Sequence, residues 1–258
     1  MERKTIMIKV LCFCSMGLCL LAALYCATYL WDTGSEHRQS RGVFDDLAKQ
    51  LANAEEATDK DSEDAARLEA FLQMCDTYPD MKAWIRIPDT KVDYPVMHRP
   101  GDRDYYLHRN VAGDQSTYGV PYLQENCYLG WSDNLIVYGH HMKNGDMFGS
   151  LESYTGKKYW EEHPEVFLMT EDGEAAYEIF AVFKTSASVD NENMIRYHEF
   201  VDAQGSEDYD DYVSLVKRNS FYDTGITPEY GEQLLTLSTC EYTLDEGRLV
   251  VVARKKAK

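Results

Sequence analysis

The chain has 258 residues, 44% of them hydrophobic and 27% charged, with a formal net charge of −18 at pH 7. That length supports one sizeable core with a small appendage. The acidic balance argues against nucleic-acid binding, which needs a basic patch.

The N-terminus differs in kind from the rest. Residues 1–31 hold Arg3, Lys4 and Lys9 against Glu2, a net of +2, so residues 32–258 carry −20. From Val10 to Trp31 there are 22 residues without a charge, enough to cross a hydrocarbon core of about 30 Å. Tyr25, Tyr29 and Trp31 lie near the far end, where aromatic rings favour the interface. The basic residues precede the run, while Asp32 and Glu36 follow it. The positive-inside rule therefore expects a cytoplasmic N-terminus and residues 32–258 outside the cell. A cleaved signal peptide would have a shorter apolar region and a small-residue cleavage site. The exit here, Thr28-Tyr29-Leu30-Trp31, is bulky, so the segment reads as an uncleaved anchor.

Past the anchor, Phe44, Leu47 and Leu51, and then Leu68, Phe71 and Leu72, recur at helical spacing. They predict helices over 43–57 and 62–76, with Asp61-Ser62-Glu63 supplying caps to the second. A solvated stalk is the other reading of the first. After Tyr78-Pro79 the pattern changes to short runs rich in Val, Ile, Tyr and Trp, broken by Gly, Pro, Asn and Asp. Strands are expected over 83–87, 92–97, 118–123, 134–139, 166–170, 176–185, 233–240 and 248–254. Helices are expected over 146–161 and 207–219. Eight such strands suggest a closed barrel or a sandwich. The organisation expected is a cytoplasmic tip and anchor (1–31), a helical spacer (32–77) and a β-rich domain (78–258).

Of seven cysteines, Cys12, Cys14, Cys19 and Cys26 fall within the apolar run; Cys75, Cys127 and Cys240 fall outside it. An odd, sparse set is not a disulfide framework and draws attention to a reactive thiol. Cys240 closes the run QLLTLSTC, in which Thr236, Ser238 and Cys240 share the more polar face of a strand. Arg248 opens the next strand, RLVVVAR, so a hairpin returns it to Cys240. Taken alone, Cys240 reads better as a small buried apolar residue, and Arg248 as a strand-edge charge. A second element changes the balance. NLIVYGHH (134–141) is an apolar strand ending in Gly-His, and a distant Cys and His form a candidate nucleophile–base pair. His37, His98, His108, His163 and His198 stand in polar stretches and read as surface residues.

Together these motifs resemble the sortases, and class B in particular. Thr236-Leu237-Ser238-Thr239-Cys240 is similar to the family's TLxTC signature. Arg248 in GRLVVVAR is similar to the arginine of its following strand, and Gly139-His140 to its Gly-His. The Ser before Thr-Cys, the stretch YGHHMKNGDMFGSL and the run WIRIPDTKVDYPVM (84–97) point to class B. The resemblance covers about residues 78–254. It implies a mostly β fold, a closed eight-stranded sortase-type barrel with N-terminal helices and short inserted helices, after one transmembrane helix. It implies a cysteine transpeptidase with Cys240 as nucleophile, His140 rather than His141 as acid/base and Arg248 as oxyanion stabiliser. Ser238, Thr239 and Glu241 are the candidate substrate contacts. The implied partners are secreted proteins with a C-terminal sorting signal of the Asn-Pro-x-Thr kind, and an amine of peptidoglycan. No metal or cofactor is expected, since no set of ligands has structural-zinc spacing. An endopeptidase using water and a non-catalytic anchored binding domain are the alternatives.

Overall fold

A computed structural model describes residues 2–54, 60–186, 194–244 and 246–257. The chain divides into two compact units, Met1–Val43 and Phe44–Lys258. The long helix α1 (Glu2–Asn53) makes up the first and contributes its last residues to the second. The 52-residue helix is continuous across the stretch expected to separate anchor from spacer. Residues 55–57 of the expected first spacer helix lie outside the described residues. Leu18, Leu21, Leu24, Tyr25, Leu30 and Trp31 are all exposed. A helix apolar on every side wants an apolar solvent, and α1 holds a stretch long and apolar enough to cross a membrane.

In the second unit, Phe44, Leu47 and Leu51 form a buried stripe. The Phe44 ring meets Tyr94 edge-on at 5.6 Å. Helix α2 (Lys60–Thr77) buries Phe71 and Met74. Its Arg67 reaches Glu174, which also takes Arg86, both at 3.2 Å.

Eight strands follow: β1 (Met81–Arg86), β2 (Asp93–Met97), β3 (Tyr122–Leu123), β4 (Asn134–Tyr138), β5 (Glu165–Thr170), β6 (Gly173–Ser186), β7 (Leu234–Glu241) and β8 (Gly247–Lys255). They close into a barrel in the order β1-β2-β3-β4-β7-β8-β6-β5, which removes the unpaired edges of an open sheet. Pairs β2–β3 and β4–β7 are parallel, the rest antiparallel. The two central strands carrying the site motifs are buried almost throughout, as parallel neighbours covered on both faces should be. Helix α3 (Lys157–Glu162) is short. Helix α4 (Ser206–Asn219) buries Tyr209, Tyr212, Val213 and Val216, with Glu207 and Asp208 in its first turn and Lys217 and Arg218 in its last, the charge order the helix dipole favours.

Two expected elements are shorter than their pattern. The strand expected over 118–123 is reduced to Tyr122–Leu123, because Gly119 sits at φ +63° and Pro121 has no N–H for a ladder. The helix expected over 146–161 is a 3₁₀ turn, Gly149–Thr155, followed by α3, with Gly156 extended between them.

Candidate active site

The site is built where β4, β7 and the β7–β8 hairpin end together. Parallel pairing sets Tyr138 against Ser238, and Gly139 N–H donates to the Ser238 carbonyl at 3.1 Å. That register carries the Gly-His segment alongside Thr239 and Cys240. On the other edge of β7, Cys240 is the direct partner of Arg248. Opposed residues of antiparallel strands share a face, with Cβ atoms about 4.5–5.5 Å apart.

Cys240, His140 and Arg248 line one cavity of about 190 Å³ with Arg103, Leu107, Tyr122, Tyr138, Tyr197, His198, Ser238 and Thr239. Cys240 is a free, partly exposed thiol. A larger cleft, about 520 Å³, lies at the opposite end of these strands around Trp131, Gln233 and Lys255; its lining includes no cysteine or histidine.

His140 is held from one side. Its Nε2 lies 2.7 Å from the Leu107 carbonyl oxygen, which only accepts, so the ring donates from Nε2 and keeps Nδ1 for other use. Gly119 presses against the same edge. A Cβ there would come within 2.9 Å of His140 Cδ2 and 2.6 Å of the Leu107 oxygen. Burial pushes the His140 pKa below its ordinary value; the Leu107 bond opposes this and the His108 ring, 5.9 Å away, adds to it.

Arg248 donates from Nη1 to the carbonyls of Glu246 and Gly247 at 3.1 and 3.0 Å, so its own turn orients the guanidinium. In the same cavity, Ser238 Oγ and Tyr197 Oη are hydrogen-bonded at 2.6 Å. Glu241 does not line the cavity. Burial raises its carboxyl, but hydrogen bonds from Lys184 and Thr243 outweigh that and hold it at about 2. Lys184 Nζ stands 2.6 Å from Glu241 Oε1. Its other oxygen accepts from Leu244 N–H at 3.1 Å, so this carboxylate knits the start of the β7–β8 loop. Cys75 is partly exposed and Cys127 fully buried. Burial pushes the Cys127 thiol up to about 12, which disfavours a nucleophilic thiolate.

One histidine is not the surface residue that sequence suggested: His98 is buried, packed 5.9 Å from the Tyr128 ring. His198 is half-buried and lines the cavity, while His108 is exposed, as expected, with its ring 5.9 Å from that of His140. The polar flanks of His98 and His198 gave no sign of this, because the packing partners come from distant segments. The same holds for Tyr197, and the exposed Arg103 reaches the cavity only through the fold.

A closed barrel with a thiol, an imidazole and a guanidinium in one cavity is the architecture of a cysteine acyl-transfer enzyme. The sortase domain family model matches residues 85–256, and the chain belongs to the sortases, which are cysteine transpeptidases. Within that family its relatives are of class B. It is 34% identical over 179 residues to the sortase B of Listeria monocytogenes, covering 67% of this chain and 68% of that protein. A mutant form of Clostridium perfringens sortase B superposes with a TM-score of 0.72 at 25% identity, over 83% of this chain and 97% of that one. A sortase B complexed with triglycine gives 0.73 at 25% identity, over 85% and 98%.

Proposed function

We propose that Cys240, His140 and Arg248 perform the transpeptidation, on a C-terminal sorting signal of secreted proteins and with an amine of peptidoglycan as acceptor. The observation that carries this is the register Cys240↔Arg248 beside the end of β4, which gathers the three side chains around one small cavity. His140 takes the proton of the Cys240 thiol, and the resulting thiolate attacks a backbone carbonyl of the signal, forming a C–S bond. The tetrahedral intermediate collapses with loss of the amine, which takes a proton from the His140 imidazolium, and an acyl thioester remains on Cys240. The acceptor amine gives a proton back to His140 as it attacks the thioester. The new amide forms, the C–S bond breaks and the thiolate returns. Arg248 is assigned to stabilise the oxyanion of both intermediates, and its charge is permanent. A donor of this kind supplies roughly 3–4 kcal/mol.

Ser238 and Thr239 border the cavity with Tyr197 and are the candidate contacts for the bound signal. Glu241, tied to Lys184, acts by shaping the loop that precedes Arg248. The Asn-Pro-x-Thr kind of signal comes from class B resemblance, and an amine acceptor agrees with the triglycine bound to one similar sortase B. Helix α1 anchors the chain, with its basic N-terminus cytoplasmic and the barrel outside.

The test is product analysis. The full chain in detergent is incubated with a set of fluorogenic signal peptides, with and without triglycine. Amine-linked product that replaces hydrolysed product as triglycine rises supports transpeptidation. Hydrolysis alone at every amine concentration would leave an endopeptidase using water.

A further inference from the structure

His141 stands outside the catalytic set proposed above, yet it is tied to the nucleophile's main chain. Its Nδ1 lies 2.8 Å from the Cys240 carbonyl oxygen. A carbonyl only accepts, so Nδ1 carries the hydrogen. The reason for the contact lies in the ladder. Hydrogen bonds between parallel strands recur at every second residue. Gly139 N–H takes the Ser238 carbonyl, so the next rung would run from His141 N–H to the Cys240 carbonyl. That rung is not made by the backbone. Strand β4 ends at Tyr138, and His141 instead pairs with Met147 in an antiparallel bridge. The imidazole substitutes for the missing main-chain donor.

The opposite edge of β7 cannot hold this carbonyl. Carbonyls of successive strand residues point to opposite sides, and those of Ser238 and Cys240 face β4. Against β8, Ser238↔Val250 and Cys240↔Arg248 are therefore non-hydrogen-bonded pairs. The His141 ring is itself braced. Its side chain is only 11% exposed, and Nε2 lies 3.4 Å from Glu152 Oε2, an ion pair when Nε2 also carries a hydrogen. The Tyr242 ring is 5.2 Å away, and the Tyr242 hydroxyl donates to the His141 carbonyl at 3.3 Å. The 3₁₀ turn, the β7–β8 loop and the strand end thus meet on one imidazole.

We propose that His141 is a positioning residue for the nucleophile: it completes the last rung of the β4–β7 ladder and fixes the peptide that follows the thiol. The inference rests on Cys240 being the nucleophile. A strand end released at that carbonyl lets the thiol drift relative to Arg248 and His140. Such misplacement lowers the rate of acylation more than the affinity for substrate.

The experiment measures kcat and KM of transpeptidation by the full chain in detergent, for His141→Phe, His141→Asn and Cys240→Ala, with melting curves and iodoacetamide labelling mapped to Cys240. Phe keeps the ring contact with Tyr242 and removes the donor; Asn returns a donor near the place of Nδ1. The expected result for His141→Phe is a kcat about 10-fold lower with KM within about two-fold, the thiol still alkylated. His141→Asn should recover to within about three-fold of the parent. A folded His141→Phe with parental kcat, or a folded His141→Asn as slow as the Phe form, overturns the proposal. If His141→Phe fails to fold, the Asn result decides. Undiminished turnover in Cys240→Ala would sink the nucleophile reading itself. A dead Cys240→Ala beside a fully active His141→Phe would remove only the role of His141.

Discussion

Gly119 is the residue whose replacement tests the histidine's setting most sharply. It adopts φ +63°, a conformation that costs an L-residue roughly 1–2 kcal/mol. The methyl of Gly119→Ala would also fall 2.6 Å from the Leu107 oxygen and 2.9 Å from His140 Cδ2, between the two partners of the 2.7 Å bond that orients the imidazole. Crowding of that kind adds about 1–3 kcal/mol. The combined loss, about 2–5 kcal/mol, lowers Tm by roughly 4–20 °C for a domain of this size. The barrel should still fold at low temperature, since stabilities are typically about 5–15 kcal/mol. Activity should suffer beyond the stability loss, because moving a catalytic group by about 1 Å costs on the order of 100-fold in rate. Gly113→Ala is the control. Gly113 also has a positive φ, +85°, but its Cβ would meet only Tyr105 Oη at 3.5 Å. It should lose roughly 1–2 kcal/mol with no fall in kcat. The assay is kcat/KM on a fluorogenic signal peptide, well below each variant's Tm. A Gly119→Ala protein with parental kcat/KM would refute the reasoning, since it would mean that the packed edge of His140 does not set its function.

His108→Gln removes a neighbour that lowers the His140 pKa, so the His140 limb of the kcat/KM pH profile should move to higher pH; an unmoved limb would discount the 5.9 Å ring contact. Because the folded His140 titrates below its ordinary 6.5, its contribution to stability is fully present above that pH and falls as pH drops below it. Lys184→Met should destabilise the fold by about 1–3 kcal/mol at neutral pH by stripping a charged donor from Glu241. Glu241 titrates at about 2 against an ordinary 4.5, so its contribution is present above 4.5 and disappears on acidification toward 2. The parent and variant melting temperatures should therefore converge over that range, and a constant gap would contradict the ion pair. Arg248→Lys should stay folded and alkylate normally at Cys240, yet be slowed about 100-fold or more, because a point charge lacks the guanidinium's fork of donors. Near-parental turnover would remove Arg248 from the chemistry.

The barrel was largely legible because strands β7 and β8 announce themselves by apolar alternation around a turn, and the site motifs sit at their ends. The failures have local causes. Gly119 and Pro121 cut a six-residue apolar run down to a two-residue strand. Gly149 has a Cβ position only 2.4 Å from the Met142 oxygen, so close backbone approach replaces the helix that periodicity suggested. The sequence motifs placed Cys240, His140 and Arg248, which now line one cavity. They could not place Leu107, Tyr197 or His198, whose part depends on contacts across tens of residues. Nor could alternation along β4 reveal that His141, turned away from the cavity, would bind the carbonyl of Cys240, 99 residues on.

The central claim is that the acyl group passes through a thioester on Cys240, and intact-mass spectrometry of the full chain tests it most directly. Protein mixed with a signal peptide and quenched in acid within the first turnover should gain the mass of the peptide's N-terminal fragment. Peptide mapping should locate the adduct on Cys240, and a chase with triglycine should discharge it as amine-linked product. Steady turnover with no adduct on Cys240, or an adduct on Cys75 or Cys127 that triglycine discharges, would contradict the account.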